Sequence, residues 1–158
     1  MTDNDLSLRK HLATLLDGRQ AHIEIGPVLD KLSFQDLSKE SKGVPWTLWE
    51  LFEHTRIAQW DILEFSRNPD HQSPDWPKGY WPQDKGPKDE ATWKASTASF
   101  RHDLNAMKDL VLDCSVDLHE NIPHGDGQTI LREAMLIADH NAYHLGQMVL
   151  LLKFFGSW

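Results

Sequence analysis

A single cysteine, Cys114, is all the thiol chemistry in the 158 residues, so neither an intramolecular disulfide nor a cysteine-rich zinc site can form. Metal ligation would fall to histidine and carboxylate. Long apolar runs are missing too: none approaches the ~18 residues of a membrane span. The N-terminal MTDNDLSLRKHLATLL is polar and acidic before its apolar stripe begins, which sets the expectation of a cytoplasmic protein with no membrane partner. Basic clusters are also lacking. With 16 Lys and Arg against 24 Asp and Glu, the net charge is -8, and nucleic acid is not an expected partner because phosphate binding needs concentrated Lys and Arg. What remains is a length that fits one domain, 1–158, large enough to bury a core without a structural metal. A bound metal is therefore expected to be functional.

Between Thr129 and Gly146 the chain has neither glycine nor proline, and this stretch carries His140 and His144 four residues apart. At ~3.6 residues per helical turn the two imidazoles project from one face, the arrangement by which a helix offers two ligands to one metal ion. Ile130, Ala134, Ile137, Asn141, His144, Met148, Leu151 and Phe155 follow the i, i+3, i+4, i+7 pattern, which points His144 toward a core and His140 toward its margin. Two readings stand at this point. The pair is either a metal site that needs a third ligand, or two core histidines hydrogen-bonded to neighbouring helices.

The other elements follow from their punctuation. Leu8, Leu12, Leu15 and Leu16 mark a first helix from Asp5 to Asp17 ended by Gly18, with His11 beside its stripe. Residues 19–45 read as a connector with one short helix near Val28 to Leu32. Thr47 caps a second helix that runs to Arg67 and is stopped by Asn68-Pro69. Its stripe of Thr47, Leu51, His54, Ala58, Asp61 and Phe65, flanked by Glu50, admits charged groups to a face expected to be greasy, and His54 is the candidate third ligand. A buried network among His54, Asp61, His140 and His144 is the alternative. The opposite face, with Trp49, Phe52, Glu53, Arg56 and Trp60, is mixed; its tryptophans are expected to cover a loop or meet a partner subunit.

From Asn68 to Lys88 the sequence NPDHQSPDWPKGYWPQDKGPK cannot sustain a helix, and its Trp76, Tyr80 and Trp81 favour docking, either as a plain cover or as part of a pocket wall. Asp89 opens a third helix to about Asp113 with a stripe of Trp93, Thr97, Phe100, Leu104, Met107 and Val111; Cys114 is expected to continue it as a packing residue, while His102, His119 and His124 are expected at the surface. In the last helix a second apolar row, Leu131, Met135, Ala138, Ala142, Leu145, Val149 and Leu152, suggests burial on two sides and a homodimer. The fold class is thus all-α, an up-down-type four-helix bundle with a long Pro- and Trp-rich loop between its second and third helices.

The mid-helix histidine of WTLWELFEHTRIAQWDIL, the YWP of the loop and the ADHNAYHLGQ of the last helix together resemble the DinB-like superfamily, also called YfiT-like metal-dependent hydrolases, over nearly the whole chain. The resemblance implies a four-helix bundle holding a divalent metal, commonly zinc or nickel, on His54, His140 and His144. It also implies a hydrolase or a transferase that uses a low-molecular-weight thiol, acting on a small molecule. Asp61 or Glu50 is the candidate to orient a ligand histidine or act as general base, and Gln147 to hydrogen-bond a bound ligand or a ligand histidine. Glu50 would alternatively serve the positive end of its helix. A non-catalytic metal-binding or stress-response module is the alternative function.

Overall fold

The computed structural model describes residues 3–18 and 21–158, so that Arg19 and Gln20, at the head of the expected connector, lie outside the described residues. Five helices account for the described chain: α1 (Asp3–Leu16), α2 (Ile25–Lys31), α3 (Leu48–Arg67), α4 (Glu90–Leu112) and α5 (Ile130–Phe155). No strand occurs among the described residues, only an isolated antiparallel bridge between Asn121 and Thr129. None of these helices is long and apolar enough to cross a membrane.

Caps written into the sequence set the borders of the long helices. The Thr47 hydroxyl accepts from the Glu50 amide at 3.1 Å, and the Glu50 carboxylate accepts in return from the Thr47 amide at 2.8 Å, closing a capping box at the start of α3. Asp89 and Thr129 accept from the amides of Thr92 and Arg132 and open α4 and α5. Such caps contribute about 1 kcal/mol each. Gly156, at φ 70°, takes the left-handed conformation that ends α5.

Helix α3 packs on both α4 and α5, and α1 packs on the same two helices from the other side. The second face of α3, read as mixed, buries Trp49, Phe52 and Glu53 and leaves Arg56 and Trp60 part-exposed. Trp49 and Phe52 are withdrawn from solvent and meet Trp93 of α4 at ring-centroid distances of 6.5 and 4.8 Å, and Phe52 meets Phe100 at 5.7 Å. Glu53 is tolerated there because Arg56 forks onto its carboxylate, at 2.7 Å for the shortest contact. Trp60 turns its ring edge-on to His71 of the following segment, so this tryptophan does cover a loop. Burial of each large side chain in this layer is worth about 1.5–3 kcal/mol relative to exposure.

Two polar side chains tie the helices at defined levels. Gln59, wholly buried in α3, donates to the Phe100 carbonyl of α4 at 2.8 Å and accepts from Asn141 Nδ2 of α5 at 2.8 Å. Arg9 of α1 donates to the carbonyls of Val111, Asp113 and Val116, which supplies partners at the end of α4, whose own last turn contains no basic residue. Cys114 departs from expectation. The helix ends at Leu112 and Asp113 is extended (φ -67°, ψ 111°), so the chain leaves the stripe and Cys114 is exposed. The second row of α5 also divides: Ala138, Leu145 and Leu152 are buried, whereas Met135 stays 52% exposed.

Candidate metal centre

His54 from α3 meets His140 and His144 from the facing side of α5. One ring nitrogen from each lies within 4.8 Å of the other two, and the His54 and His140 Nε2 atoms are 3.2 Å apart. The helical spacing places His140 above His144, and the α3–α5 packing brings His54 across to them. His54 and His144 are buried and His140 half-buried, as the stripe geometry of α5 anticipates.

Tautomers decide what this cluster can do. A main-chain carbonyl only accepts, so the 2.9 Å contact between His54 Nδ1 and the Tyr80 oxygen places the His54 proton on Nδ1 and leaves Nε2 as a bare lone pair. In the same way, Gln147 Oε1 at 2.7 Å accepts from Nδ1 of His144. Two Nε2 lone pairs therefore face the same space. His140 Nδ1 is buried with no hydrogen-bond partner among the described residues. Burial lowers the pKa of all three; for His140, with His144 and His54 adding to the effect, it is brought to about 4. At neutral pH the cluster is three uncharged imidazoles, the form in which histidine ligates a metal.

The Pro- and Trp-rich segment between α3 and α4 does more than close the bundle. It contains one short 3-10 turn, Lys78–Tyr80, and presents Tyr80 and Trp81 to His54. The Trp81 ring lies face to face on the His54 imidazole, 4.0 Å between centroids and 2° from parallel, and Trp46 in turn stacks with Trp81 at 5.6 Å. Asp61, two turns along α3 from His54, accepts from the Tyr80 hydroxyl at 2.5 Å and pairs with His71 Nε2 at 2.8 Å. Burial together with this carboxylate pushes the Tyr80 phenol up to about 12, so it remains a donor. Asp61 thus reaches His54 through Tyr80, whereas Glu50 is engaged in the capping box of α3.

A model of the DinB superfamily matches residues 19–148. The chain belongs to the DinB superfamily. The match takes in His54, His140 and His144 together with the whole segment between α3 and α4, and leaves α1 and the last turns of α5 outside. No curated protein and no solved structure matches the chain. The three histidines of this DinB-superfamily chain form a group able to hold a metal ion. Sequence reading found the three nitrogen donors and offered Gln147 as a partner for a ligand histidine, which it is for His144, but it missed what fixes His54: Tyr80, Trp81 and His71 entered only as members of an aromatic, proline-rich run. A main-chain carbonyl leaves no mark on the sequence, and the YWP tripeptide was the one usable signal.

Proposed function

We propose that this protein is a divalent-metal-dependent enzyme of the hydrolase or thiol-dependent transferase type, with His54, His140 and His144 as its metal ligands. The observation that carries the reading is the convergence of His54 and His144 Nε2, each with its Nδ1 proton already engaged, on the nitrogen of His140. Ligand histidines in metal sites are oriented in this way by an acceptor on the far ring nitrogen. A divalent cation bound there supplies Lewis acidity, which activates a water or a thiol.

The remaining steps belong to the chain itself. Tyr80 and Gln147 hold two ligand rings in register and keep them in the tautomer that exposes Nε2. We assign Asp61 the part of a positioning residue: it anchors the Tyr80 hydroxyl, and so the segment whose carbonyl orients His54. Glu50 we assign to helix capping. Trp81 shields one face of His54 from water. A homodimer is part of the same reading, supported by the exposure of Met135, Tyr143, Leu150 and Phe154 along α5.

The burial of His54 beneath Trp81 favours a second reading, a closed metal site without catalysis. Metal content separates metal binding from a plain polar network. Protein purified without a nickel column is expected to contain about one divalent ion per chain by mass spectrometry, and His144→Ala to contain almost none. Wild-type protein that stays metal-free after incubation with zinc, nickel and manganese would sink both metal readings. Exchange of a bound small thiol or of water at the loaded site would then decide between catalysis and structure.

A further inference from the structure

On the flank of α3 away from the histidines, a cleft of about 720 Å³ opens between α3, α4 and the segment that joins them. Small-molecule sites commonly enclose ~300–1,000 Å³. Ile57, Trp60 and Pro74 give it apolar walls, Ser99 and Asp103 line it from α4, and His54, His140 and His144 do not line it.

The telling group is Asp103. Only 7% of it is exposed, and its carboxylate makes no hydrogen bond or ion pair with a described residue. Its oxygens are not sealed off, and what contact they keep with water is through the cleft that Asp103 lines; a carboxylate so short of donors is costly to hold there. Burial accordingly pushes the Asp103 carboxyl above its ordinary range, against the pull of His102 and Arg56. The nearby cation does not relieve it. Arg56 lines the same cleft, but its Nε and Nη2 are bound to Glu53 at 2.9 and 2.7 Å, so that pair is already neutral. Arg67 is likewise paired with Glu64. The charge left over in the cleft is that of Asp103.

We propose that this cleft binds a small organic amine, its ammonium group paired with Asp103 and its apolar body laid against Trp60, Ile57 and Pro74. The ammonium supplies the donors that Asp103 lacks, and the Ser99 hydroxyl on the same wall offers an acceptor for a further N–H. The indole of Trp60 provides both apolar surface and an electron-rich face for a cation. The loop wall is closely packed: a side-chain carbon added at Gly79 would fall 2.6 Å from Pro74 Cβ, so glycine lets these two stretches of the segment close up.

The test is a calorimetric titration of the full chain with 2-phenylethylamine, with 2-phenylethanol as its uncharged counterpart. Saturable binding of the amine is expected, weakened about tenfold or more for the alcohol and in Asp103→Asn, the loss that a charge-assisted hydrogen bond implies. Because an amine can also ligate a metal, the titration is repeated on His144→Ala. Unchanged affinity there keeps the amine in the cleft, and lost affinity would move it to the histidines and overturn the proposal. Ser99→Trp, at an exposed position of α4, fills the cleft without altering charge and is expected to abolish binding, which keeps the test intact if Asp103→Asn does not fold. Absence of saturable heat with the amine, or equal affinity for amine and alcohol, rejects the site.

Discussion

His54 and His144 offer the same nitrogen to the same space, yet they are held by different kinds of support. His144 is steadied from within its own helix, where Gln147 lies three residues on and is brought into reach by α5 itself. His54 is steadied from outside, by the carbonyl of Tyr80, 26 residues away on an irregular segment. The local support needs nothing but a formed helix. The distant one needs the whole segment to be ordered, through Asp61, His71 and the Trp81 stack, at a cost in chain entropy that those contacts must offset. His140 stands apart from both, since its Nδ1 has no partner among the described residues.

That third case yields the largest effect short of removing a ligand. The hydrogen bonds that the Tyr80 carbonyl and Gln147 Oε1 accept favour the protonated forms of His54 and His144 and oppose burial, whereas nothing opposes it at His140, whose pKa falls from 6.5 to about 4. The sign follows from proton counts. Between those two values the unfolded chain binds the proton and the folded chain does not, so metal-free protein has its full stability above pH 6.5 and loses it as pH falls toward 4, by up to ~3 kcal/mol. Urea unfolding of chelator-treated protein at several pH values should show this slope, and His140→Gln should flatten it. An equal slope in that variant would mean that His140 is not the group responsible.

Next in size is the loop-borne support. Tyr80→Phe removes the donor to Asp61 and frees the segment that carries the His54 acceptor, with an expected loss of ~10–100-fold in metal affinity. Competition with a chromogenic chelator measures it. Gln147→Ala is expected to weaken binding less, toward the ~10-fold end of that range, because α5 still fixes the position of His144. If Gln147→Ala proves the more damaging of the two, the distinction between local and distant support fails.

The same distinction explains what could be read from the chain. Thr47, Asp89, Thr129 and the Asn68-Pro69 stop fix helix borders through contacts within three residues, and α3, α4 and α5 lie where those signals put them. Helical periodicity likewise brought out His54, His140 and His144. Short range fails elsewhere. Cys114 looked like the next member of a stripe, but the extended backbone of Asp113 ends the period one residue earlier. Trp49 was expected to cover a loop or meet a partner subunit, and instead it meets Trp93 of α4, as Phe52 does. The Arg9 bonds to carbonyls more than 100 residues away have no local trace, and neither has the Tyr80 carbonyl.

Gln59 and Asn141 deserve a last consequence. The hydrogen bond from the Asn141 amide to the Gln59 oxygen joins α3 to α5 at the level between His140 and His144, and Gln59 also donates to a carbonyl of α4. Leucines and alanines permit neighbouring helices to slide with modest loss, whereas this pair matches in one alignment only. A displacement by one turn, ~5.4 Å, would carry His54 out of reach of its partners. The two amides therefore act as the key in a keyway, setting the axial position at which a third nitrogen from another helix completes the set.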